Sequence, residues 1–178
     1  MVQDEFYRIG RRLFSEHLVG GNFGNMSIHD SRESFLITRS GSFLDDPGEL
    51  VRVPLFGDVP PEASSEWRVH RAVYQQTRHK AIVHAHPPYA VAASLVLDEI
   101  IPIDSEGKMF CPTIQVAVGE PGSRELAEDV ADCLALTSLC IARGHGTFAT
   151  GKTLEEAYLY TSLAEHACRV LSMVSSFR

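Results

Sequence analysis

Ala81-Ile82-Val83-His84-Ala85-His86-Pro87-Pro88 is the stretch on which the reading of this chain turns. The apolar start, with a β-branched pair, reads as a buried strand, and the two prolines stop it directly after His86. Residues two apart in a strand share a face, so His84 and His86 present both imidazoles on one side and Ala85 points the other way, into packing. The prolines set this pair at the end of a strand, where a ligand can arrive. A strand-end His-x-His on its own more often marks two partly exposed histidines, so a second feature has to carry the argument.

That feature lies downstream. Ser138 to Arg143 reads as another buried strand, Gly144-His145-Gly146 as a turn, and Thr147 to Ala149 as a short return strand. Glycine on both sides of His145 lets the backbone turn sharply and leaves the imidazole open to an ion or substrate. Upstream, Ser64-Ser65-Glu66-Trp67 precedes His70, Val73 and Tyr74, which predicts a helix with a serine N-cap and an acid in its first turn. Three imidazoles from two strand ends with a carboxylate such as Glu66 are the donor set of a catalytic zinc site. A cupin would need a Glu a few residues after the pair, and Ala90 to Ala93 supply none. An amidohydrolase barrel needs far more chain. His17, His29, His70, His79 and His166 are expected to be solvated or on helix surfaces, His70 being one helical turn from Glu66.

Working outward, Val2, Phe6, Ile9 and Leu13 form the stripe of an amphipathic helix that ends before Gly20-Gly21. Asn25 to His29, Phe35 to Thr38 and Val51 to Leu55 read as antiparallel strands, and Tyr89 to Leu97 as a helix. Ile100 to Ile103 and Ile114 to Val118 read as strands, and Pro121-Gly122-Ser123 opens a helix to about Ala135. Thr153 with Glu156 is a capping box that starts a last helix to Val174. Helices and strands alternate without linker or repeat. The expectation is a single α/β domain over residues 1–178, its central sheet mostly antiparallel or mixed and covered by helices on both faces.

Composition sets the limits. The chain has 178 residues, 44% hydrophobic and 22% charged, which suits a globular domain with its own core. Sixteen Lys+Arg against 23 Asp+Glu give a net charge of -7, which repels a phosphate backbone, so no nucleic-acid partner is expected. The acids of Met1-Val2-Gln3-Asp4-Glu5 stand where a signal peptide carries bases, and no apolar run approaches a membrane span. Cys111, Cys133, Cys140 and Cys168 form no CxxC pair and read as free thiols. A cytoplasmic protein without membrane partners is expected.

Three segments are rich in small hydrogen-bond donors: Gly20 to Ser27, Thr38-Arg39-Ser40-Gly41-Ser42, and Ser64-Ser65 at a helix start. Such clusters are usually turns, but three of them upstream of a metal site suggest a phosphate cradle.

Taken in order, Gly24-Asn25-Met26-Ser27, Ser40-Gly41, Ser64-Ser65-Glu66 with His70, His84-Ala85-His86-Pro87, Gly144-His145-Gly146 and Gly151-Lys152-Thr153-Leu154-Glu155-Glu156-Ala157 resemble the class II aldolase/adducin family, in its fuculose-phosphate aldolase branch. The match covers nearly the whole chain. The resemblance implies one zinc ion per subunit on His84, His86 and His145, with Glu66 as fourth ligand and as acid/base when substrate displaces it. It implies a phosphate held by Asn25, Ser40, Gly41, Ser64 and Ser65, and a homotetramer with active sites at subunit interfaces. The activity implied is cleavage of a ketose phosphate to dihydroxyacetone phosphate and an aldehyde through a zinc-stabilised enediolate. Where the branch has a tyrosine that reaches into the neighbouring subunit's site, this chain has Asp104-Ser105-Glu106, so Asp104 and Glu106 are the candidate second proton carriers. Epimerases and decarboxylases of sugar phosphates and a non-catalytic adducin-like module share the family; retention of the three histidines and Glu66 argues against the module.

Overall fold

The computed structural model describes residues 2–177. The chain opens with α1 (Val2–Ser15), whose Phe6, Ile9, Gly10 and Leu13 are buried along one stripe. A three-strand meander follows, β1 (Asn25–His29), β2 (Ser34–Ile37) and β3 (Val51–Pro54), with antiparallel registers such as Ile28 opposite Leu36 and Leu36 opposite Arg52. Next come α2 (Trp67–Gln76), β4 (Ala81–Ala85), α3 (Pro88–Ser94), β5 (Glu99–Ile100), α4 (Ser105–Phe110), β6 (Ile114–Ala117) and α5 (Arg124–Leu136). The chain then runs through β7 (Leu139–Ala142), β8 (Gly146–Gly151) and α6 (Leu154–Val174), with a single 3-10 turn after it.

The eight strands form one sheet in the order β3-β2-β1-β4-β8-β7-β6-β5. Its pairs are antiparallel except β6 with β7, the mixed and mostly antiparallel sheet expected. Strand β4 lies near the middle and is buried on both sides, which is why Ala81 to Ala85 carry no exposed polar residue. Its side chains alternate between two cores. Ile82 packs with Val69, Val73, Leu126, Val130 and Leu134 beneath α2 and α5, whereas Ala81, Val83 and Ala85 pack with Phe6, Ile9, Leu13 and Leu154 beneath α1 and α6. Ala90 of α3 joins Ile114, Ile141, Ala149 and Ala164 in a third cluster. Helices therefore cover both faces.

The last two helices start as their sequences suggest. Leu126 N–H donates to Ser123 Oγ at 3.0 Å, and Glu156 N–H donates to Thr153 Oγ1 at 3.2 Å while the Glu156 carboxylate accepts from Lys152 N–H. Helix α2 departs from expectation. Glu66, not a serine, occupies its N-cap position, and no side chain caps the helix. Ser64 and Ser65 are left in the preceding segment, where Ser64 N–H donates to Thr38 carbonyl at 3.2 Å. A second departure is α4, next to the strand expected over Ile100 to Ile103. Only Glu99–Ile100 is strand, and Asp104 nucleates the helix by accepting from Gly107 N–H at 2.8 Å.

Candidate active site

The sheet brings the site together in one line. Asn25 of β1 and Phe148 of β8 are the register partners of His84 on the two sides of β4. His86 follows the end of β4, its N–H bonded to Leu18 carbonyl at 2.9 Å, and His145 occupies the β7–β8 turn, its N–H bonded to Ala142 carbonyl at 3.0 Å. His84, His86 and His145 each offer a ring nitrogen within 4.8 Å of the others, so the three meet as the sequence suggests. The flanking glycines also have a backbone reason. Gly144 has a φ of 65°, and a Cβ on Gly146 would stand 2.2 Å from the Ala85 carbonyl oxygen. The glycines serve the turn and the close approach of β4 to β8, and a Cβ on Gly146 would also stand 2.9 Å from the His86 ring.

The donor set fits a divalent transition metal. His84 is 1% exposed and its Nδ1–H donates to Thr147 carbonyl at 2.9 Å, which leaves Nε2 as a lone pair facing His86 Nε2 at 3.0 Å. Phe148 stacks on the His84 ring at 4.1 Å and fixes its plane. His145 Nδ1 is buried without a hydrogen-bond partner among the described residues. Burial, and then the neighbouring imidazoles, hold His84 well below the ordinary histidine range; the same causes bring His86 down to about 4, and burial lowers His145. Three neutral imidazoles with converging lone pairs are what zinc and its neighbours bind.

Glu66 is 5% exposed, and one of its carboxylate oxygens, Oε2, has no partner among the described residues. Burial raises its pKa, opposed by Gly122 N–H and Arg68. Its carboxylate stands outside the group of nitrogens that lie within 4.8 Å of one another, so here it faces the site without joining the histidines.

The residues proposed for phosphate, Asn25, Ser40, Gly41, Ser64 and Ser65, line one cavity of about 190 Å³ together with Glu66, His84, His86 and His145. The antiparallel bridge of Arg39 with Ala63 and the bond from Ser40 N–H to Glu62 carbonyl at 2.9 Å bring the Ser40 and Ser64 segments side by side. Ser64, Ser65 and Glu66, the residues that lead into α2, line it, and the start of a helix favours an anion. Arg39 is the one basic side chain of the wall besides the imidazoles.

Asp104 and Glu106 stand elsewhere. With His166 they form a separate group around the start of α4, Glu106 being exposed and accepting from Ser105 Oγ at 2.6 Å, and neither lines the histidine cavity. His17 and His166 are exposed as expected, and His29 and His79 are half-buried, the first stacked on Tyr74 and the second bonded to Leu134 carbonyl at 3.0 Å. His70 overturns the expectation of a surface residue. It is fully buried, its Nδ1 2.6 Å from Ser27 Oγ and its Nε2 2.6 Å from Asn25 Oδ1. The sequence carries the signal: His70 falls on the same stripe as Val69, Val73 and Tyr74, the buried face of α2.

The chain is similar to known proteins along nearly all of its length. The family model described as "Class II Aldolase and Adducin N-terminal domain" matches residues 4–172. The L-fuculose phosphate aldolase of Methanococcus vannielii is 30% identical over 178 residues, 97% of each chain. The 3-oxo-tetronate 4-phosphate decarboxylase of Escherichia coli K12 is 29% identical, over 88% of this chain and 79% of its own. The crystal structure of L-fuculose-1-phosphate aldolase from Thermus thermophilus superposes with a TM-score of 0.93 at 35% identity, covering 98% of this chain and 94% of that one. With a family match over residues 4–172 and a fold that superposes on a solved relative at 35% identity, the chain belongs to the class II aldolase and adducin N-terminal domain family.

Proposed function

We propose that this chain is a metal-dependent lyase that cleaves a ketose phosphate, of the fuculose-1-phosphate kind, to dihydroxyacetone phosphate and an aldehyde. The observation that carries the reading is the convergence of three neutral imidazoles, a buried carboxylate and a lysine-free set of small donors on one cavity. His84, His86 and His145 would hold the ion, zinc first among the divalent metals, with Glu66 as a fourth ligand in the absence of substrate. Bound there, it supplies Lewis-acid stabilisation of the negative charge that develops on the substrate's carbonyl and neighbouring hydroxyl oxygens. Asn25, Ser40, Gly41, Ser64 and Ser65 bind the phosphate through hydroxyl, amide and backbone N–H groups and the start of α2. Glu66, with its pKa raised by burial, takes and returns the proton at the carbon beside the carbonyl.

A second reading is favoured by the E. coli relative, whose name is that of a decarboxylase. Loss of carbon dioxide from a 3-oxo acid also breaks the bond next to a carbonyl and leaves the same kind of charge, so one site suits both reactions. The products separate them.

The four free cysteines support a reducing, cytoplasmic setting, and no described helix is long and apolar enough to cross a membrane. Assembly completes the proposal. Leu95, Val96, Leu97, Ile101, Ile103, Met109 and Phe110 are all exposed around Asp104 and Glu106. A homotetramer that buries them would carry Asp104 or Glu106 to the metal centre of the next subunit, as the second proton carrier that the cavity lacks.

The test is a screen of ketose 1-phosphates for release of dihydroxyacetone phosphate, beside 3-oxo-tetronate 4-phosphate for release of carbon dioxide, with metal content measured on each preparation. Glu66→Gln should keep its metal and lose about two to four orders of magnitude in turnover. Histidine-to-alanine variants at 84, 86 and 145 should lose metal. Full metal occupancy in all three, or a fully metallated wild type that releases neither product, would refute the reading.

A further inference from the structure

Four buried side chains form a single hydrogen-bonded file that ends in the cavity. Tyr74 OH lies 2.7 Å from Ser27 Oγ, Ser27 Oγ 2.6 Å from His70 Nδ1, and His70 Nε2 2.6 Å from Asn25 Oδ1. Tyr74 is 3%, Ser27 0%, His70 0% and Asn25 4% exposed, so water is not available to mend a wrong orientation. Burial brings the His70 pKa down to about 3, so the ring is neutral and has one N–H and one lone pair.

The direction of the file follows from its far end. Burial raises the Tyr74 pKa and keeps the phenol protonated. Among the described residues its O–H has Ser27 Oγ alone as an acceptor. Tyr74 therefore donates to Ser27, the Ser27 hydroxyl proton goes to His70 Nδ1, and His70 must carry its proton on Nε2. That N–H donates to Asn25 Oδ1. The reverse file, in which the Asn25 amide turns over and donates to His70, would leave the tyrosine proton without an acceptor in the core, which is costly.

With Oδ1 held by His70, the Asn25 NH2 group has no hydrogen-bond partner among the described residues and faces the cavity that Asn25 lines with Ser40, Ser64 and Ser65. An anion meets two N–H bonds there. A turned amide would meet it with a carbonyl oxygen. We propose that His70, supported by Ser27 and Tyr74, is the positioning residue that holds the Asn25 amide with its NH2 toward a bound phosphate. The inference rests on the cavity being the phosphate site, and it assigns the anion selectivity of one wall to a tyrosine at the far end of the file.

The experiment is a double-mutant cycle read by isothermal titration of the full chain with inorganic phosphate. Asn25→Ala and His70→Leu should each weaken phosphate binding roughly tenfold or more, the scale of one hydrogen bond to a charged group. The double variant should bind no more weakly than Asn25→Ala alone. His70→Gln keeps a side-chain N–H near the Nε2 position and should recover part of the loss. Tyr74→Phe removes the far end without touching the cavity and serves where His70→Leu does not fold. It should weaken phosphate binding severalfold when Asn25 is present and leave binding unchanged in the Asn25→Ala background. Additive losses in either cycle would overturn the positioning role and leave the phosphate site standing. A wild type that binds no phosphate would overturn both.

Discussion

His70 and Glu66 are four residues apart and both carry shifted pKa values, in opposite directions and from the same cause. Burial penalises whichever form is charged, so the carboxyl holds its proton more readily and the imidazole takes one less readily. For His70 the consequence for stability has a definite sign. The folded protein keeps it neutral down to about pH 3, whereas the unfolded chain takes up a proton below about 6.5. Its contribution is therefore complete above about pH 6.5 and is lost progressively toward pH 3 as acid favours the unfolded chain. The melting temperature of the metal-free protein should fall between about pH 6.5 and 4, and His70→Gln should flatten that slope; an unchanged slope would mean that other groups govern acid lability. At this scale the sequence is partly legible. His84 and His86 can be placed on one face because a strand alternates. His70 is misplaced when its spacing from Glu66 is weighed and its position on the apolar stripe of Val69 and Val73 is not. Glu66 can be singled out by its position before a helix, but its burial depends on how α2 meets the sheet, a contact that no local pattern encodes.

The elements that matter most are β4 and β8, which carry His84 and Phe148 opposite one another and bring His86 and His145 together at their ends. Their spacing depends on Gly146. Alanine there would put a methyl group 2.2 Å from a backbone oxygen of the neighbouring strand, which cannot swing aside as a side chain could. Gly146→Ala should destabilise the protein by about 1–3 kcal/mol, the range for overpacking a tight site, and should lower metal content by moving β8 away from β4. Urea unfolding and metal analysis check this, and a variant with wild-type values in both would show that the strands yield at little cost. Element types are largely legible, because capping residues such as Ser123 and Thr153 and the alternation of β1 act locally. Helix α4 is not. Ile101-Pro102-Ile103 resembles a strand, yet β5 offers only two paired residues, and the Asp104 cap wins the segment for a helix. The start of α2 also eludes a local reading, since Ser64 is drawn into backbone pairing with Thr38, far away in sequence.

Across the whole molecule, the segment from Leu95 to Phe110 gathers several exposed large apolar side chains, with Val96 at 80% and Met109 at 73% exposure. If it joins subunits, Met109→Glu should shift the protein from tetramer to smaller species in sedimentation velocity and lower turnover while metal content stays constant. A wild type that is monomeric and fully active at high dilution would remove the shared site. Fold class is legible at this scale from the interspersion of helices and strands; the order of the strands is not, because it is set by pairings between distant segments. One of those pairings has a temporal side. Helix α1 docks on α6, with Arg8 and Arg12 on Glu155 at 2.7 and 2.8 Å and Glu5 accepting from Leu154 N–H at 3.0 Å, while β4 has as its neighbour β8, which begins only at Gly146. On a ribosome the first helix and the central strand therefore emerge long before the segments that cover them. Even once α1 and β4 can pack on each other, the side of that cluster that Leu154, Ala157 and Tyr158 close stays uncovered until the last helix is made, which makes this interval the one in which a holding chaperone has most to protect.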